Sequence, residues 1–179
     1  MKYINLPLTK DIRKSLKPGE ELLLTGKIYT ARDQAHKRFC ESLKKGERLP
    51  ISLKDNVIFY CGPAPTRPGD AIGSCGPTTS SRMDTFTPQL LSKGLAAMIG
   101  KGRRSERVKS AIKRHGAVYL IAIGGAGAYL ARRVKKARPI AYKDLGTEAI
   151  HELWVEDFPV IVAIDSKGKS IFKRGGKDA

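Results

Sequence analysis

The chain has 179 residues, which suits one domain over residues 1–179, or one domain with a small appendage. Its aliphatic residues sit in short runs such as AVYLIAIGG and PVIVAID, none near the length of a membrane span, so no membrane association is expected. Lysine and arginine total 34 against 17 aspartate and glutamate, a net charge of +17, which keeps nucleic acid, an anionic substrate and an acidic partner subunit in contention.

The N-terminal MKYINLPLTKDIRKSL lacks the apolar core and cleavage site of a signal peptide, so a cytoplasmic location is expected. Residues 3–7 read as a short strand entering LTKDIRKSLK, a short amphipathic helix that Thr9 and Asp11 can cap. ELLLTGKIYTA is a strand pair or one long strand bent at Gly26. RDQAHKRFCESLKKG is a helix, because Ala35, Phe39 and Leu43 recur at i, i+4, and Gly46 closes it. NVIFYCGP reads as a buried strand that breaks at Gly-Pro. The next stretch, CGPAPTRPGDAIGSCGPTTSSRMD, holds too many glycines and prolines for a regular element. TPQLLSKG is a short helix with Thr87 as N-cap and Pro88 at its first position. LAAMIGKG is a strand, SERVKSAIKRHG a helix capped by Ser105, AVYLIAIGG a buried strand and AYLARRVKKA a helix. RPIAYKDLG, HELWVEDFP, PVIVAIDSKG and KSIF supply further short strands and turns. The second half alternates strand and helix, which predicts parallel βαβ units. The first half and the tail add strands outside that alternation. The fold class is therefore α/β with a mixed sheet and some antiparallel edges.

Three cysteines, Cys40, Cys61 and Cys75, lie 21 and 14 residues apart. An odd number without CxxC spacing argues against a disulfide framework and a self-contained zinc site. The spread is also wider than the compact runs that hold ferredoxin-type clusters. Buried thiols are the expectation, and no metal site is assigned to this chain.

Four segments can carry chemistry. In CGPTTSSRMD, four hydroxyl residues follow a strand and a loop and precede a helical turn. If that turn is helical from its start, Thr78 and Arg82 stand at i, i+4 on one face. A hydroxyl beside a guanidinium can hold a carboxylate, and arginine does so in two-point fashion where lysine cannot. The alternative is a capping run beside a surface arginine. In TARDQAHKRF, Arg32 follows a strand end, Asp33 can cap, and His36 falls in the first turn, where a histidine is more often structural than catalytic. In IGKGRRSER, glycines flank Lys101 without the spacing of a Walker motif. IGGAGAYLARR has only half of a dinucleotide fingerprint, and a tight turn with close helix packing is the better reading. No Ser-His-Asp or HExxH constellation accompanies these segments. They amount to part of an anion site.

The motifs TARDQAHKRF, FYCGPAP, GDAIGSCGPTTSSRMD, MIGKGRRS, AIGGAGAYLA and AYKDLGTEAIHELWVEDFPVIVAIDSKGKSIF resemble, in order, the C-terminal domain or separate β subunit of class I fumarases. The L(+)-tartrate dehydratase β subunit belongs to the same family. The resemblance covers residues 3–173. It implies a swivelling β/β/α domain, a fumarate or malate substrate, and a cluster-bearing α subunit in an α2β2-type heteromer. It implies a [4Fe-4S] cluster held by that partner, with none held by this chain. Carried over by motif, it implies substrate binding by Arg32, Arg82 and Lys101 and a proton-transfer role for Thr78, with Asp33, His36 and Asp84 in support. A basic nucleic-acid-binding module and a non-catalytic assembly subunit are the alternatives from other classes.

Overall fold

The structure is a computed structural model that describes residues 1–172. Its first half alternates strand and helix. Strand β1 (Lys2–Asn5) leads to helix α1 (Lys10–Ser15), β2 (Glu21–Thr30), α2 (Asp33–Lys44) and β3 (Val57–Phe59). After a long loop and a 3-10 turn over Ser80–Met83 come α3 (Thr87–Ser92), β4 (Ala97–Gly100), α4 (Glu106–His115), β5 (Val118–Ile121) and α5 (Gly127–Arg132). The described residues end with β6 (Val134–Ala141), a 3-10 turn over Lys143–Glu148 and the 15-residue β7 (Ile150–Ile164).

Strands β1 to β5 run parallel in sequence order. The parallel alternation therefore begins in the first half, where the sequence shows no clear helix–strand rhythm. Strand β7 lies antiparallel to both β5 and β2, which closes β2, β3, β4, β5 and β7 into a barrel-like ring. The ring agrees with an α/β fold on a mixed sheet, although its antiparallel strand is a central one. β6 pairs with the outer half of β7.

Both faces of β3, β4 and β5 are buried, and successive residues divide between two cores. Val57, Phe59, Ala97, Ile99, Val118 and Leu120 pack with β7 residues such as Leu153, Phe158 and Val162. Ile58, Tyr60, Met98 and Tyr119 pack with Phe39, Leu90, Val108 and Ile112 of α2, α3 and α4. Burial on both sides explains why these strands read as unbroken apolar runs.

Four expectations need correction. The helix over AYLARRVKKA stops at Arg132, and Val134 opens a strand. The residues favour helix, but pairing with β7 and burial of Val134 override that preference. HELWVEDFP and PVIVAID form one strand through Pro159. Between Asp157 and Val160 the ladder gives β7 only β2 as a neighbour, so a residue without an N–H is tolerated there. Thr87 is the first residue of α3 and does not cap it; Phe86 holds the cap position, and the Thr87 hydroxyl donates to the Met83 carbonyl at 2.8 Å. Asp33 likewise lies inside α2, with Arg32 at the cap. Thr9 and Ser105 do cap their helices. Gly26 sits at a register shift between β2 and β7, as a bend there requires. KSIF contributes a single bridge, Ile164 to Ser170.

Phe158 and Phe59 meet edge to face across the ring at 5.3 Å, both fully buried. Phe158→Ala should lower unfolding free energy by about 3–5 kcal/mol, measured by denaturant titration.

Candidate active site

The carboxyl ends of parallel strands all face the same end of a sheet, and ligand sites of α/β folds collect there. Here Arg32 follows β2, Tyr60 follows β3 and Lys101 follows β4. The 78–84 segment is then laid across these ends by backbone bonds. Thr78 N donates to Tyr60 O at 2.8 Å, Lys101 N to Thr78 O at 3.2 Å and Ser80 N to Lys101 O at 3.0 Å. The glycine that ends β4 makes this possible. A Cβ on Gly100 would stand 2.0 Å from Ser80 Oγ and 2.9 Å from the Tyr60 ring.

Thr78 and Arg82 do not share a helical face. The 3-10 turn starts at Ser80, with Thr79 in extended backbone at its N-cap position, so Thr78 lies before it, outside the turn. The Thr78 hydroxyl donates to Tyr60 O at 3.0 Å, which commits its hydrogen and leaves its lone pairs to accept. Arg82 projects from the turn, half exposed, and Asp33 grips one edge of it: Nε donates to Asp33 Oδ1 at 3.1 Å, and NH2 lies 2.9 Å from Oδ2. The other edge of the guanidinium stays available. Arg32 lies across Gly62, where a Cβ would come within 2.7 Å of its NH1, and its Nε is 3.7 Å from Glu148 Oε1. Lys101 is exposed. The structure thus gathers all four candidate residues at one end of the sheet, with Asp33 joining Arg82 to the start of α2.

Among the described residues, the buried side-chain polar atoms without a hydrogen-bond partner are Arg32 Nε, Asp33 Oδ2, His36 Nε2 and Glu148 Oε1. All four belong to the start of α2 and the 143–148 turn that packs on it. Three of the four are instead within ion-pair reach, Arg32 Nε of Glu148 Oε1 at 3.7 Å and Asp33 Oδ2 of Arg82 NH2 at 2.9 Å.

His36 is fully buried and stacks edge to face on Tyr60 at 5.3 Å. Its Nδ1 lies 2.7 Å from Arg32 O, and a carbonyl can only accept, so Nδ1 carries the hydrogen. Burial pushes its pKa down to about 4; the Arg32 carbonyl opposes this, and the Arg104 guanidinium adds to it.

Three contributors escaped the sequence reading. Arg104 is buried under the turn, where it binds Asp84, Thr87 and Tyr60. Tyr119 donates its one hydroxyl hydrogen to Gly102 O at 2.9 Å and lies 2.8 Å from Ser80 Oγ, which donates to it; burial, the main cause, raises its pKa to about 12, so it remains a donor. Glu148 faces Arg32. The only sequence signal for Arg104 was a basic run, in which its exposed neighbour Arg103 looks the same.

All three cysteines are buried. Cys61 and Cys75 face each other at 2.8 Å between sulfurs, and this contact, followed by burial, holds the Cys61 thiol protonated. Cys40 lies in the core on the opposite face of the sheet. The cysteines therefore do not fit an iron-sulfur cluster, and among the described residues no other group of three or more His, Cys, Asp or Glu is placed to hold a metal ion. Of the two half-fingerprint glycines, Gly127 serves close packing, since a Cβ there would lie 2.5 Å from Ser74 Oγ, and Gly125 takes a positive φ of 79° in the turn before α5.

Residues 2–175 match the family model described as Fumarase C-terminus. The chain belongs to the fumarase C-terminus family. It is 45% identical over 155 residues to the aerobic class I fumarate hydratase of Salmonella typhimurium, covering 86% of this chain and 27% of that protein. It is 40% identical over 158 residues to fumarate hydratase 2 of Leishmania major, covering 87% and 28%. The chain thus spans little more than a quarter of these fumarases. It is also 40% identical over 183 residues to a Methanocaldococcus jannaschii protein provisionally named L(+)-tartrate dehydratase subunit beta, covering 99% of this chain and 94% of that one. Among the described residues of this family member, no helix is long and apolar enough to cross a membrane.

The depressed pKa of His36 has a consequence for stability. Between pH 6.5 and about 4 the unfolded chain takes up a proton on His36 that the folded chain refuses. Stability is therefore full above pH 6.5 and declines as pH falls toward 4, by about 3 kcal/mol in all. Denaturant titrations at pH 7 and pH 5 should show a drop about 2 kcal/mol smaller in His36→Gln than in the parent chain.

Proposed function

We propose that this chain is the β subunit of a two-subunit, iron-sulfur-dependent hydro-lyase that interconverts fumarate and (S)-malate in the cytoplasm. The observation that supports it best is the convergence of Arg32, Thr78, Arg82 and Lys101 at one end of the parallel strands. Fumarate carries two carboxylates, and three cationic side chains at element ends suit a dianion. In this reading the free edge of Arg82 and the exposed Lys101 take the carboxylates, and Arg32, whose Nε faces Glu148 without a hydrogen bond, completes the set. Thr78 faces carbon 3. In this reading it takes up the proton that leaves that carbon, and its donation to Tyr60 O aims the hydroxyl in the resting state. A neutral hydroxyl is too weak a base to keep that proton, so Thr78 acts as the alkoxide: its own proton first passes to solvent, and the cationic side chains nearby favour the anion.

The cluster belongs to the α subunit in this reading, since the cysteines here do not fit one. This chain binds and orients the dicarboxylate and handles the proton. A second reading, tartrate dehydration, is supported by the near full-length likeness to the M. jannaschii protein. The same cationic groups suit either dicarboxylate.

Anaerobic coexpression with the α subunit should yield a complex that hydrates fumarate, while the chain alone should be inactive and purify without iron. A higher rate on L(+)-tartrate than on malate would favour the second reading. Arg82→Ala should raise KM steeply, and Thr78→Val should lower kcat by about a hundredfold or more, in steady-state assays. An Arg82→Ala complex with full activity would sink the site assignment. Tight binding of the isolated chain to DNA, steeply weakened by salt, would point instead to a nucleic-acid module.

A further inference from the structure

Arg104 has the most elaborate set of partners of any charged residue near the site, yet it cannot touch a substrate. It is buried beneath the 78–84 segment, and its side chain has no exposure in its ion pair with Asp84. Its Nε donates to Asp84 Oδ1 at 2.6 Å, its NH2 to Thr87 Oγ1 at 2.7 Å and its NH1 to the Tyr60 hydroxyl at 3.4 Å. The guanidinium also lies 5.4 Å from the Tyr60 ring centre and 5.0 Å from that of Tyr119. Asp84 closes the arrangement by accepting from Ser105 N at 2.7 Å. A buried guanidinium is tolerated only when its donors are met, as they are here.

These contacts fall on one side of Arg82. Asp84 terminates the 3-10 turn that carries it, and Thr87 anchors the same stretch through Met83 O. Thr78 and Lys101 are held by backbone bonds to Tyr60 O and to each other, none of which Arg104 makes, and its contacts with Tyr60 are to the side chain. The Arg82 side chain, in turn, is gripped by Asp33 along a single edge. Arg82 is therefore fixed twice, its backbone from below and its guanidinium from the side.

We propose that Arg104, acting through Asp84 and Thr87, is a positioning residue that aims Arg82 at a substrate carboxylate and so sets dicarboxylate affinity. This rests on the functional reading above. It assigns Arg104 to binding more than to turnover, since its closest partners, Asp84 and Thr87, follow Arg82 in the chain, and Thr78 is held by the Tyr60 backbone.

The test uses the coexpressed complex with fumarate, (S)-malate and L(+)-tartrate offered in turn. Arg104→Lys keeps the charge and loses the fork. Thr87→Val removes one acceptor and leaves the Asp84 pair intact, so it preserves the fold if the first variant does not. Each should raise KM about tenfold while kcat stays within about threefold. In an Arg82→Ala background, Arg104→Lys should add almost nothing, because the residue it acts through is gone. Wild-type KM in both folded variants overturns the inference alone, and so do independent, multiplicative losses in the double variant. Failure of both variants to assemble also counts against it, since that assigns the cluster to the fold and not to the site. A wild-type complex that transforms none of the three substrates overturns the functional reading and this inference with it.

Discussion

The antiparallel pairing of β7 with both β2 and β5 is the constraint on which the rest depends. Without it, β1 to β5 would be an open parallel sheet with one core face uncovered. With it, the ring encloses Phe59, Ile99, Leu120 and Phe158, and the opposite face is left for α2, α3 and α4. Closure also fixes where the carboxyl ends of β2, β3 and β4 stand relative to one another. Because Arg32, Tyr60 and Lys101 follow those ends directly, the sheet sets the geometry of the candidate site before any side chain is considered. The long loop after β3 then needs only three backbone hydrogen bonds to bring Thr78 and Arg82 into place.

Charge is distributed with the same economy. The chain has 17 acidic residues against 34 basic ones, and Asp33, Asp84 and Glu148 are placed against Arg82, Arg104 and Arg32. Each carboxylate makes contact at Nε, so each orients its arginine as well as neutralising it. Arg82, Lys101 and Arg103 remain exposed, a cationic group that suits the dicarboxylate proposed above. Arg32 Nε, Asp33 Oδ2 and Glu148 Oε1 lie within these ion pairs without a hydrogen bond, and His36 Nε2 lacks one too, at the edge of this arrangement.

The cysteines show how misleading linear spacing is. Cys61 and Cys75 are 14 residues apart and face each other, because the 62–75 loop folds back and is pinned by Cys75 N to Gly127 O at 3.1 Å. Cys40 is on a separate core face. Burial raises the Cys40 thiol, and the Cys75 contact followed by burial raises that of Cys61, which argues for packing more than reactivity.

The sequence determined a good deal by itself. Apolar runs marked the strands, i, i+4 spacing marked α2, Ser105 and Gly116 bracketed α4, and the motifs identified the residues that end up at the strand ends. These features are local, so a window of residues reveals them. Only the tertiary structure decided the rest. It turned Val134 to strand against its helical neighbours, ran β7 through Pro159, moved Thr78 off the helical face and made Arg104 unlike Arg103. Each of these depends on a partner far along the chain: β7 for Val134, the absence of a second neighbour for Pro159, Tyr60 for Thr78, and Asp84 with Thr87 for Arg104. Propensity carries no record of such partners, so the contacts that build this site become visible only when the sheet closes.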